Sequence, residues 1–480
     1  RDFYRSMATG RWMPNSPTLY NAGRKLSQLS ACFVLPVKDD MGGIYETLKN
    51  MALIHQTGGG TGFSFSRLRE NGSYVESTDG EASGPISFMR VYDASTEAVK
   101  QGGKRRGANM GILRVDHPDI LDFIECKEDT DEITNFNISV AATDEFMQKA
   151  MAGEMYNLIS PKDGEVVGQL PADEVLDKVI EHAHATGEPG LFFIDEANKY
   201  NPTPHINDYE ATNPCGEQPL MPYDVCNLGH VNIAAFVDEG GQFDKTGFRN
   251  QVFTGMRFLD NVIDRNDYPL PEIRDLSDRI RRVGHGVMGL ADALVKMEVP
   301  YDSEEAREIA SHIAEVHHDA CIQASELLAT ERGTFPEWEQ SIWGPDETCA
   351  RDENGERIRP RIEMRNANTN TVAPTGTTSI LAGCSASIEP LYAVAFYRNQ
   401  AGTRMSEVHP AFEDFITEDA PADWQDQLAD EGHFDFDWVK DEAEDIFVTS
   451  HDVAPKDHIR MQAVWQPHID SAISKTINFP

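Results

Sequence analysis

The sequence is most informative at Thr212-Asn213-Pro214-Cys215-Gly216-Glu217-Gln218, where a cysteine stands between a proline and a glycine. Proline fixes one backbone dihedral and glycine tolerates conformations that other residues avoid, so Cys215 is predicted at the tip of a tight loop. Asn213 and Glu217 lie two residues to either side, and residues two apart in extended backbone point the same way. The spacing therefore brings together a thiol, a carboxylate and an amide. A further cysteine, Cys226, follows eleven residues after Cys215.

From residue types alone, this segment fits two descriptions. One is a turn in which the cysteine is incidental. The other is a cysteine nucleophile, which needs a nearby histidine base, and His205 and His230 are the candidates. Neither histidine stands in a recognised protease motif, and a cysteine hydrolase stays open as an alternative at this point.

The wider sequence resembles class II ribonucleotide reductases, the adenosylcobalamin-dependent class, with ribonucleoside diphosphates as the expected substrates and triphosphates as the alternative. The segment Asn-Pro-Cys-Gly-Glu, with a second cysteine eleven residues on, is similar to the finger loop of that family. The resemblance covers essentially the whole chain. Other stretches that match the family, in the same order, are residues 30–36, 66–69, 83–89, 101–110, 282–290 and 373–379.

The resemblance implies roles for the residues of the loop. Cys215 would become a thiyl radical and take the 3′-hydrogen of the ribose. Glu217 would bind the 3′-hydroxyl and accept its proton, and Asn213 would hold the sugar hydroxyls. Cys32 and Cys226 would supply two reducing equivalents and end as a disulfide, which requires their Cα atoms to lie within about 7 Å.

The resemblance also implies binding segments for two nucleotides. A turn of small hydroxyl residues and backbone N–H groups can hold phosphates without a cation, particularly where a helix begins. The expected substrate-binding residues are Ser16, Thr18, Ala31, Pro374, Thr375, Gly376, Thr377 and Thr378. The residues expected to sense a deoxynucleotide effector and set specificity are Asp39, Gln101, Lys104 and Arg105, with an exposed turn aspartate as the alternative for Asp39.

The fold that the resemblance implies is a ten-stranded α/β barrel of two five-stranded halves, with the radical cysteine on an internal finger loop. Residues 1–480 are expected to form a single barrel domain that is incomplete at the C-terminus and also at the N-terminus. Proline after Asn213 and glycine after Cys215 resemble the cobalamin-dependent class more than the diiron class, so adenosylcobalamin is the expected cofactor. The other expected partners are a thioredoxin-type or dithiol reductant and a second copy of the chain in a homodimer. A non-catalytic, nucleotide-binding remnant is the further alternative.

Composition excludes other classes of partner. The chain carries 80 acidic against 42 basic residues, a net charge of −38, which repels nucleic acid and anionic membranes. We hypothesise that this surface is adapted to a salt-rich cytosol, where screening relieves the self-repulsion. Seven cysteines without a zinc-type spacing indicate a reducing cytoplasm, and no metal-binding residues are predicted.

Hydrophobic patterning favours an α/β architecture. The glycine-rich residues 58–62 lack the lysine of a phosphate-binding loop and predict instead a tight backbone approach inside the barrel. The acidic residues 407–457 contain regularly placed aromatic side chains and are predicted to fold as helices with acidic faces. Strands are predicted at 31–36, 107–115, 191–194, 379–382 and 392–396, and helices at 44–56, 173–185, 248–264 and 303–332.

Overall fold

The structure is a computed structural model that describes residues 1–76, 79–99, 107–352, 354–400 and 403–479. The strands are β1 (Trp12–Pro14), β2 (Cys32–Val34), β3 (Gly60–Ser64), β4 (Tyr74–Val75), β5 (Gly80–Glu81), β6 (Asn109–Arg114), β7 (Phe136–Ala142), β8 (Met155–Ile159), β9 (Val166–Pro171), β10 (Gly190–Phe193), β11 (Ala211–Thr212), β12 (Pro219–Leu220), β13 (Val225–Asn232), β14 (Val283–Met288), β15 (Ala395–Gln400) and β16 (Thr403–Val408).

Helices alternate with these strands along most of the chain. They are α1 (Asp2–Ala8), α2 (Ser16–Asn21), α3 (Met41–Gln56), α4 (Gly84–Ala98), α5 (Ile120–Glu125), α6 (Asp144–Ala152), α7 (Ala172–Thr186), α8 (Ile194–Lys199), α9 (Lys245–Arg265), α10 (Pro271–Ile280), α11 (Leu290–Lys296), α12 (Glu304–Arg332), α13 (Gly376–Ala382), α14 (Trp424–Glu431) and α15 (Pro455–Trp465). Short 3₁₀ turns lie at Ile233–Phe236, Trp338–Gln340, Pro410–Phe415, Asp441–Ala443 and Gln466–His468.

The main sheet is mixed and joins two parallel sets of strands. Strands β2, β3, β6, β7 and β10 are parallel neighbours in that order. Strand β13 pairs antiparallel with β2 and parallel with β14, so β13 and β14 begin a second parallel set. Single parallel bridges from His285 to Asn370 and from Val372 to Ile473 extend this second set. The α/β class is therefore confirmed, as a curled mixed sheet that forms a half-barrel.

Helices cover one face of the second set of strands. All eight residues of β13 and all six of β14 are buried, as expected for strands covered on both faces. On the outer face, α9 and α12 pack against them through a large apolar core that includes Trp12, Val231 and Val287. On the inner face, a small cluster surrounds Cys32 and Cys226. The sheet thus separates a thick structural core from a narrow interior that holds the cysteines.

The hydrophobic pattern predicted most of the elements near these strands. The predicted strands at 31–36 and 107–115 contain β2 and β6, and the predicted strand at 191–194 overlaps β10. The predicted helices at 44–56, 173–185 and 248–264 overlap α3, α7 and α9. Ser303, the first residue of the helix predicted at 303–332, caps α12, because its hydroxyl accepts a hydrogen bond of 3.0 Å from the Ala306 N–H. The strand predicted at 379–382 is wrong, since these residues form the end of α13, and the strand predicted at 392–396 is only the start of β15.

The acidic residues 407–457 are folded, as their aromatic side chains predicted. Phe412 and Phe447 are buried in a separate apolar cluster with their ring centroids 5.0 Å apart. The predicted helices account for only part of this segment, which contains α14, the start of α15 and short 3₁₀ turns joined by irregular chain. Among the described residues, no helix combines the length and the apolar character needed to cross a membrane.

Candidate active site

Two cysteines lie directly opposite each other where the two sets of strands meet. Cys32 on β2 is the register partner of Cys226 on β13 in the antiparallel pair. Opposite residues of such a pair have Cα atoms about 4.5–5.5 Å apart and side chains on one face, which is within disulfide reach. Both are buried thiols that are not joined in a disulfide. Burial raises the pKa of the Cys226 thiol well above its usual value, and Arg282 opposes this shift.

The finger loop, residues 212–218, is closed by its own backbone and by Asn213. Strands β11 and β12 pair on either side of it, and the Asn213 N–H donates to the Gln218 carbonyl oxygen at 3.2 Å. The Asn213 side-chain oxygen accepts from the Gln218 N–H at 3.0 Å, and Gly216 adopts a positive φ of 83°. This places Cys215 at the tip of a tight loop, as its proline and glycine neighbours predicted. The Cys215 side chain is exposed.

Glycines on β3 allow the loop to lie close against the first set of strands. A Cβ on Gly60 would lie 2.8 Å from Pro214 Cγ, and a Cβ on Gly62 would overlap the Thr212 carbonyl oxygen. The Asn137 side-chain amide donates to the Pro214 carbonyl oxygen at 2.7 Å. The tight backbone approach predicted for residues 58–62 is confirmed, and its partner is the finger loop itself.

The other side of the loop is fixed to the second set of strands. The Glu217 carbonyl oxygen accepts hydrogen bonds of 2.9 Å from the Thr371 hydroxyl and from the Ala472 N–H. Thr371 lies beside β14, because its N–H donates to the His285 carbonyl oxygen. The loop is therefore held between the two sets of strands, with backbone contacts on both sides.

The loop brings its amide and carboxylate to the cysteine pair. The Asn213 side-chain amide donates to Cys32 Sγ at 3.2 Å, and Cys32 Sγ lies 4.0 Å from the buried carboxylate oxygen Glu217 Oε1. Residues 32, 213, 217 and 226, which are far apart in the sequence, thus form one constellation around the base of the loop that carries Cys215. It combines three thiols, one carboxylate and one amide, the groups required for thiol-based redox chemistry with proton transfer.

A buried ion pair lies close enough to Cys226 to act on its thiol. Arg282 Nη2 lies 3.0 Å from Asp224 Oδ2, and Arg282 Nη1 donates to the Tyr209 hydroxyl oxygen at 3.1 Å. Burial opposes the charge on the guanidinium, but Asp224 and Tyr209 outweigh it and keep the pKa of Arg282 above its usual value. The sequence analysis missed this pair, although Arg282 begins one matched stretch and Asp224 precedes Cys226 by two residues.

Three of the expected substrate-binding residues precede Cys32 in the chain. Ser16 begins α2, and the Thr18 hydroxyl donates to Asn15 Oδ1 at 2.6 Å and to the Leu29 carbonyl oxygen at 2.9 Å. The Ala31 N–H donates to the Cys226 carbonyl oxygen at 3.2 Å. Ala31 is thus placed beside the cysteine pair, while the Thr18 hydroxyl is engaged within the protein.

The expected phosphate-binding residues, 374–378, form the start of α13. Thr375 caps the helix in the left-handed conformation, and its hydroxyl accepts from the Ser387 N–H at 2.7 Å. The Thr378 hydroxyl donates to the Thr375 carbonyl oxygen at 3.2 Å, and a Cβ on Gly376 would meet open space. Because a helix does begin here, its first N–H groups have no intrahelical acceptors. Helix α13 packs against β1 and β13, which brings it to the same region of the sheet as the cysteines.

The expected effector residues are only partly described. Asp39 accepts from the Arg69 N–H at 3.1 Å and pairs with Arg69 Nε at 2.8 Å. This half-buried ion pair gives Asp39 a structural partner within the chain. Gln101, Lys104 and Arg105 lie outside the described residues.

The candidate bases of the hydrolase alternative lie in different surroundings. His205 Nε2 is 3.0 Å from Glu337 Oε2, so this ring is paired with a carboxylate. His230 lies on β13 and is buried, with no hydrogen-bond partner for its Nδ1 among the described residues.

A third group of buried residues lies on the outer face of the sheet. Potential ligand atoms of His285, His317 and Cys321 lie within 4.8 Å of one another. However, Trp12 Nε1 donates to His285 Nε2 at 3.1 Å, so the proton of neutral His285 lies on Nδ1, which faces His317 Nε2 at 2.9 Å. A metal on that Nδ1 would require the proton to move to the nitrogen that Trp12 already contacts. The group therefore forms a hydrogen-bonded chain.

Comparison with known proteins places this geometry in a family. The family model described as "Ribonucleotide reductase, barrel domain" matches residues 30–480. The chain is 47% identical over 480 residues to the vitamin B12-dependent ribonucleoside-diphosphate reductase of Thermoplasma acidophilum, covering 99% of this chain and 61% of that protein. It is 42% identical to the protein of the same name from Mycobacterium tuberculosis, covering 98% of this chain and 66% of that protein.

Similarity extends to a relative that is named as a reductase subunit. The chain is 30% identical to the ribonucleoside-diphosphate reductase subunit alpha of Chlamydia muridarum, covering 95% of this chain and 49% of that protein. The chain therefore spans between about half and two thirds of the length of these curated relatives. The cysteine pair, the finger loop between the two sets of strands and the family match together show that this chain belongs to the ribonucleotide reductase barrel-domain family.

Proposed function

We propose that this chain is the barrel part of a vitamin B12-dependent ribonucleoside-diphosphate reductase, which converts ribonucleotides to 2′-deoxyribonucleotides for DNA synthesis and repair. The observation that carries the proposal is the register of Cys32 opposite Cys226, beside Asn213 and Glu217 of the finger loop. Two thiols within disulfide reach can deliver two electrons, and the neighbouring carboxylate can move a proton.

Each residue of the constellation has a role that its surroundings support. Cys215, exposed at the loop tip, loses its sulfur-bound hydrogen atom and becomes a thiyl radical that takes the 3′-hydrogen of the ribose. Glu217, buried beside Cys32, accepts the proton of the 3′-hydroxyl. The Asn213 amide is within reach of the same place and holds the sugar hydroxyls. The hydrogen bonds of the finger loop hold these three groups in fixed positions relative to one another.

The electrons come from the cysteine pair. Cys32 and Cys226 together give up two hydrogens and two electrons as their S–S bond forms. One hydrogen leaves with the 2′-hydroxyl as water, and the other takes the place of that hydroxyl on C2′. At the end of the cycle, the 3′-hydrogen returns from Cys215 to the sugar. A dithiol reductant of the thioredoxin type then reduces the disulfide, which regenerates the two thiols for the next catalytic cycle.

Adenosylcobalamin is the proposed cofactor. When bound, it supplies a carbon radical through homolysis of its cobalt–carbon bond. The exposed side chain of Cys215 fits this chemistry, because an outside radical source has access to the loop tip while the other active-site cysteines are buried. The sequence gives no cobalamin-binding motif, so no residue is assigned to hold the cofactor.

The remaining assignments follow from the family resemblance. We propose that residues 1–480 form one catalytic domain within a ten-stranded barrel of two five-stranded halves, to which the five parallel strands β2, β3, β6, β7 and β10 contribute one half. Ser16, Thr18, Ala31 and the start of α13 bind the substrate. Asp39, Gln101, Lys104 and Arg105 bind a deoxynucleotide effector that sets specificity. The protein acts in the cytoplasm as a homodimer.

The first test is anaerobic reduction of CDP and CTP in high salt, with adenosylcobalamin, dithiothreitol and a deoxynucleotide effector. We expect cobalamin-dependent deoxycytidine product from the wild-type chain and none from Cys215→Ala. The matched control is Cys126→Ala, because Cys126 follows α5 and lies outside the constellation. Comparison of CDP with CTP identifies the substrate.

The result depends on whether the chain is sufficient by itself. If this chain gives no product, the same assay is repeated with the chain joined to the remaining part of a full-length relative. Activity restored in that form supports the proposal. Absence of product in both forms, with nucleotide binding intact, would overturn it in favour of a non-catalytic nucleotide-binding protein.

A further inference from the structure

Gly107, the first described residue after the proposed specificity residues 101–105, is wedged between two buried side chains. A Cβ on Gly107 would lie 2.8 Å from His55 Nδ1 and 2.9 Å from Thr96 Cγ2. Contacts this short leave no room for a side chain, so the backbone of residue 107 fits closely into a space of which the His55 ring forms one wall.

A chain of buried hydrogen bonds that runs in one direction holds the His55 ring in place. Thr61 donates its hydroxyl proton to Asn109 Oδ1 at 2.7 Å, so the Thr61 oxygen accepts from His55 Nε2 at 2.8 Å. The Asn109 amide donates to the Thr96 hydroxyl at 2.9 Å, and that hydroxyl donates to the Tyr92 carbonyl oxygen at 2.8 Å. The two walls of the space around residue 107 are therefore parts of one hydrogen-bonded network, which begins at the His55 N–H.

The His55 ring is neutral and faces residues 107–109. Burial lowers the pKa of His55 to about 4, although hydrogen bonding to the Ala108 backbone and to the Asn109 side chain opposes the shift. The ring then carries a single N–H at physiological pH, and the hydrogen bond to Thr61 places it on Nε2. His55 therefore acts through its shape and one hydrogen bond, and not through charge.

The same network joins residue 107 to the strand that supports the finger loop. Thr61 lies on β3 between the two glycines against which the finger loop packs. His55 lies in the last turn of α3, and Asn109 begins β6. The ring thus connects a helix and two strands at the point where the chain leaves residues 101–105, and a displaced ring would shift residue 107 relative to the loop that carries Cys215.

We propose that His55 is a positioning residue that fixes residue 107 relative to the finger loop and thereby contributes to the choice of the base of the ribonucleotide. The inference rests on the proposed function, in which residues 101–105 respond to a deoxynucleotide effector and set specificity. His55 acts on the substrate through residue 107 and the residues before it. Its loss should therefore change the preference between bases more than the affinity for the ribose and the phosphates.

The test measures nucleotide selection by binding. The dissociation constants of CDP, UDP, ADP and GDP are measured by calorimetry with each deoxynucleoside triphosphate in turn, for this chain alone and joined to the remaining part of a full-length relative. His55→Leu removes the N–H donor, whereas His55→Gln keeps a neutral donor. Gly107→Ala leaves the donor in place and adds a methyl group against the ring. The matched control is His117→Gln, because His117 is a buried histidine beyond the other end of β6.

The preference for one base over another is the ratio of two dissociation constants under the same effector. We expect His55→Leu and Gly107→Ala to lower this ratio roughly three- to tenfold, the effect of one lost neutral hydrogen bond. His55→Gln should recover most of the preference, and His117→Gln should match wild type. Thermal unfolding verifies that each variant is folded, and if His55→Leu does not fold, Gly107→Ala decides by the same criteria.

Two outcomes would overturn the inference alone. One is an affinity that falls by the same factor for all four nucleotides, because a purely structural role of His55 leaves the preference unchanged. The other is unchanged affinity in both His55→Leu and Gly107→Ala. Wild-type binding without any base preference would remove the specificity assignment, and this inference with it. Absence of nucleotide binding in wild type, alone and joined, would overturn the proposed function and this inference together.

Discussion

The backbone of Gly62 on β3 lies directly against the carbonyl group of Thr212, so that any side chain at position 62 would overlap that oxygen. Thr212 is the last residue before Asn213, and its carbonyl therefore sets how deeply the finger loop lies between the two sets of strands. The position of Cys215 therefore depends on the absence of one methyl group on a neighbouring strand.

Gly62→Ala is expected to displace the finger loop and to abolish most of the reductase activity. The added methyl group meets backbone, which cannot rotate away, and overpacking of this kind costs about 1–3 kcal/mol. Urea unfolding measures the stability and the CDP assay measures the activity. Gly168→Ala is the matched control, because its Cβ would lie 3.5 Å from Leu158 Cδ1, an ordinary contact. Wild-type activity in Gly62→Ala would contradict the close approach.

Mild oxidation with diamide is expected to join Cys32 to Cys226. Their positions as register partners place the Cα atoms at a distance that a disulfide spans without backbone movement. Alkylation before and after reduction, followed by mass spectrometry, counts and locates the thiols, and the number of reactive thiols should fall from seven to five. Cys226→Ser should prevent the loss, whereas Cys321→Ser should not. A main product that links Cys215 to another cysteine would argue against the pairing.

Asp224→Asn is expected to destabilise the protein by about 3–5 kcal/mol, because it leaves the buried guanidinium of Arg282 without its counter-ion. The measurement is the free energy of unfolding in urea. Glu46→Gln is the control, since its pair with Lys49 is solvent-exposed on both sides and should change stability by less than about 1 kcal/mol. Equal effects of the two substitutions would show that the buried pair contributes no more than a surface pair.

Stability is expected to fall as the pH drops below about 6.5. Burial lowers the pKa of His55 to about 4 and that of His317 to about 3. Between these values and 6.5, the unfolded chain binds protons that the native protein does not, so acid favours unfolding, and the effect vanishes above 6.5. Each histidine contributes about 1.36 kcal/mol per pH unit within that window. Urea unfolding at several pH values should show that the free energy of unfolding depends less steeply on pH in His55→Gln than in wild type. The same pH dependence in both proteins would refute this account.

The fold should also depend on salt. With a net charge of −38, self-repulsion opposes the compact state, and ions screen it over about 10 Å at 0.1 M and about 3 Å at 1 M. Circular dichroism during dialysis from molar potassium chloride to dilute buffer should show loss of structure. Recovery of the circular dichroism signal on return to high salt would show that the loss was reversible unfolding and not aggregation. A chain that keeps its full signal and melting temperature in dilute buffer would not fit adaptation to a salt-rich cytosol.

The local structure of the site was predictable from the sequence because it depends on neighbouring residues. Proline and glycine beside Cys215 predicted the tight loop, and the glycines of residues 58–62 predicted a close backbone approach. The strand predicted at 379–382 failed because a run of four small or apolar residues fits either a strand or a helix. Gly383, which ends α13 in the left-handed conformation, was the local signal for the helix.

The relationships between distant residues were beyond sequence reasoning from the residues alone. Asp224 and Arg282 are 58 residues apart, and neither position shows a charge pattern that distinguishes it from a surface residue. The pairing of Cys32 with Cys226 came from the family resemblance; the structure shows the two residues as register partners, and their disulfide stays a prediction. One of the two contacts to the Glu217 carbonyl oxygen comes from Ala472, which lies next to the single bridge between Val372 and Ile473.

The hydrogen bond from the Asn213 amide to Cys32 Sγ couples two events that are usually considered separately. The sulfur accepts this bond as a thiol, and once it is joined to Cys226 its lone pairs, charge and position all change. The amide that we propose to steady the sugar therefore has a different neighbour before and after oxidation. Under the proposed function, substrate meets the reduced form of this pocket and product leaves the oxidised form. Reduction of the disulfide would then restore the neighbour that the amide has in the structure.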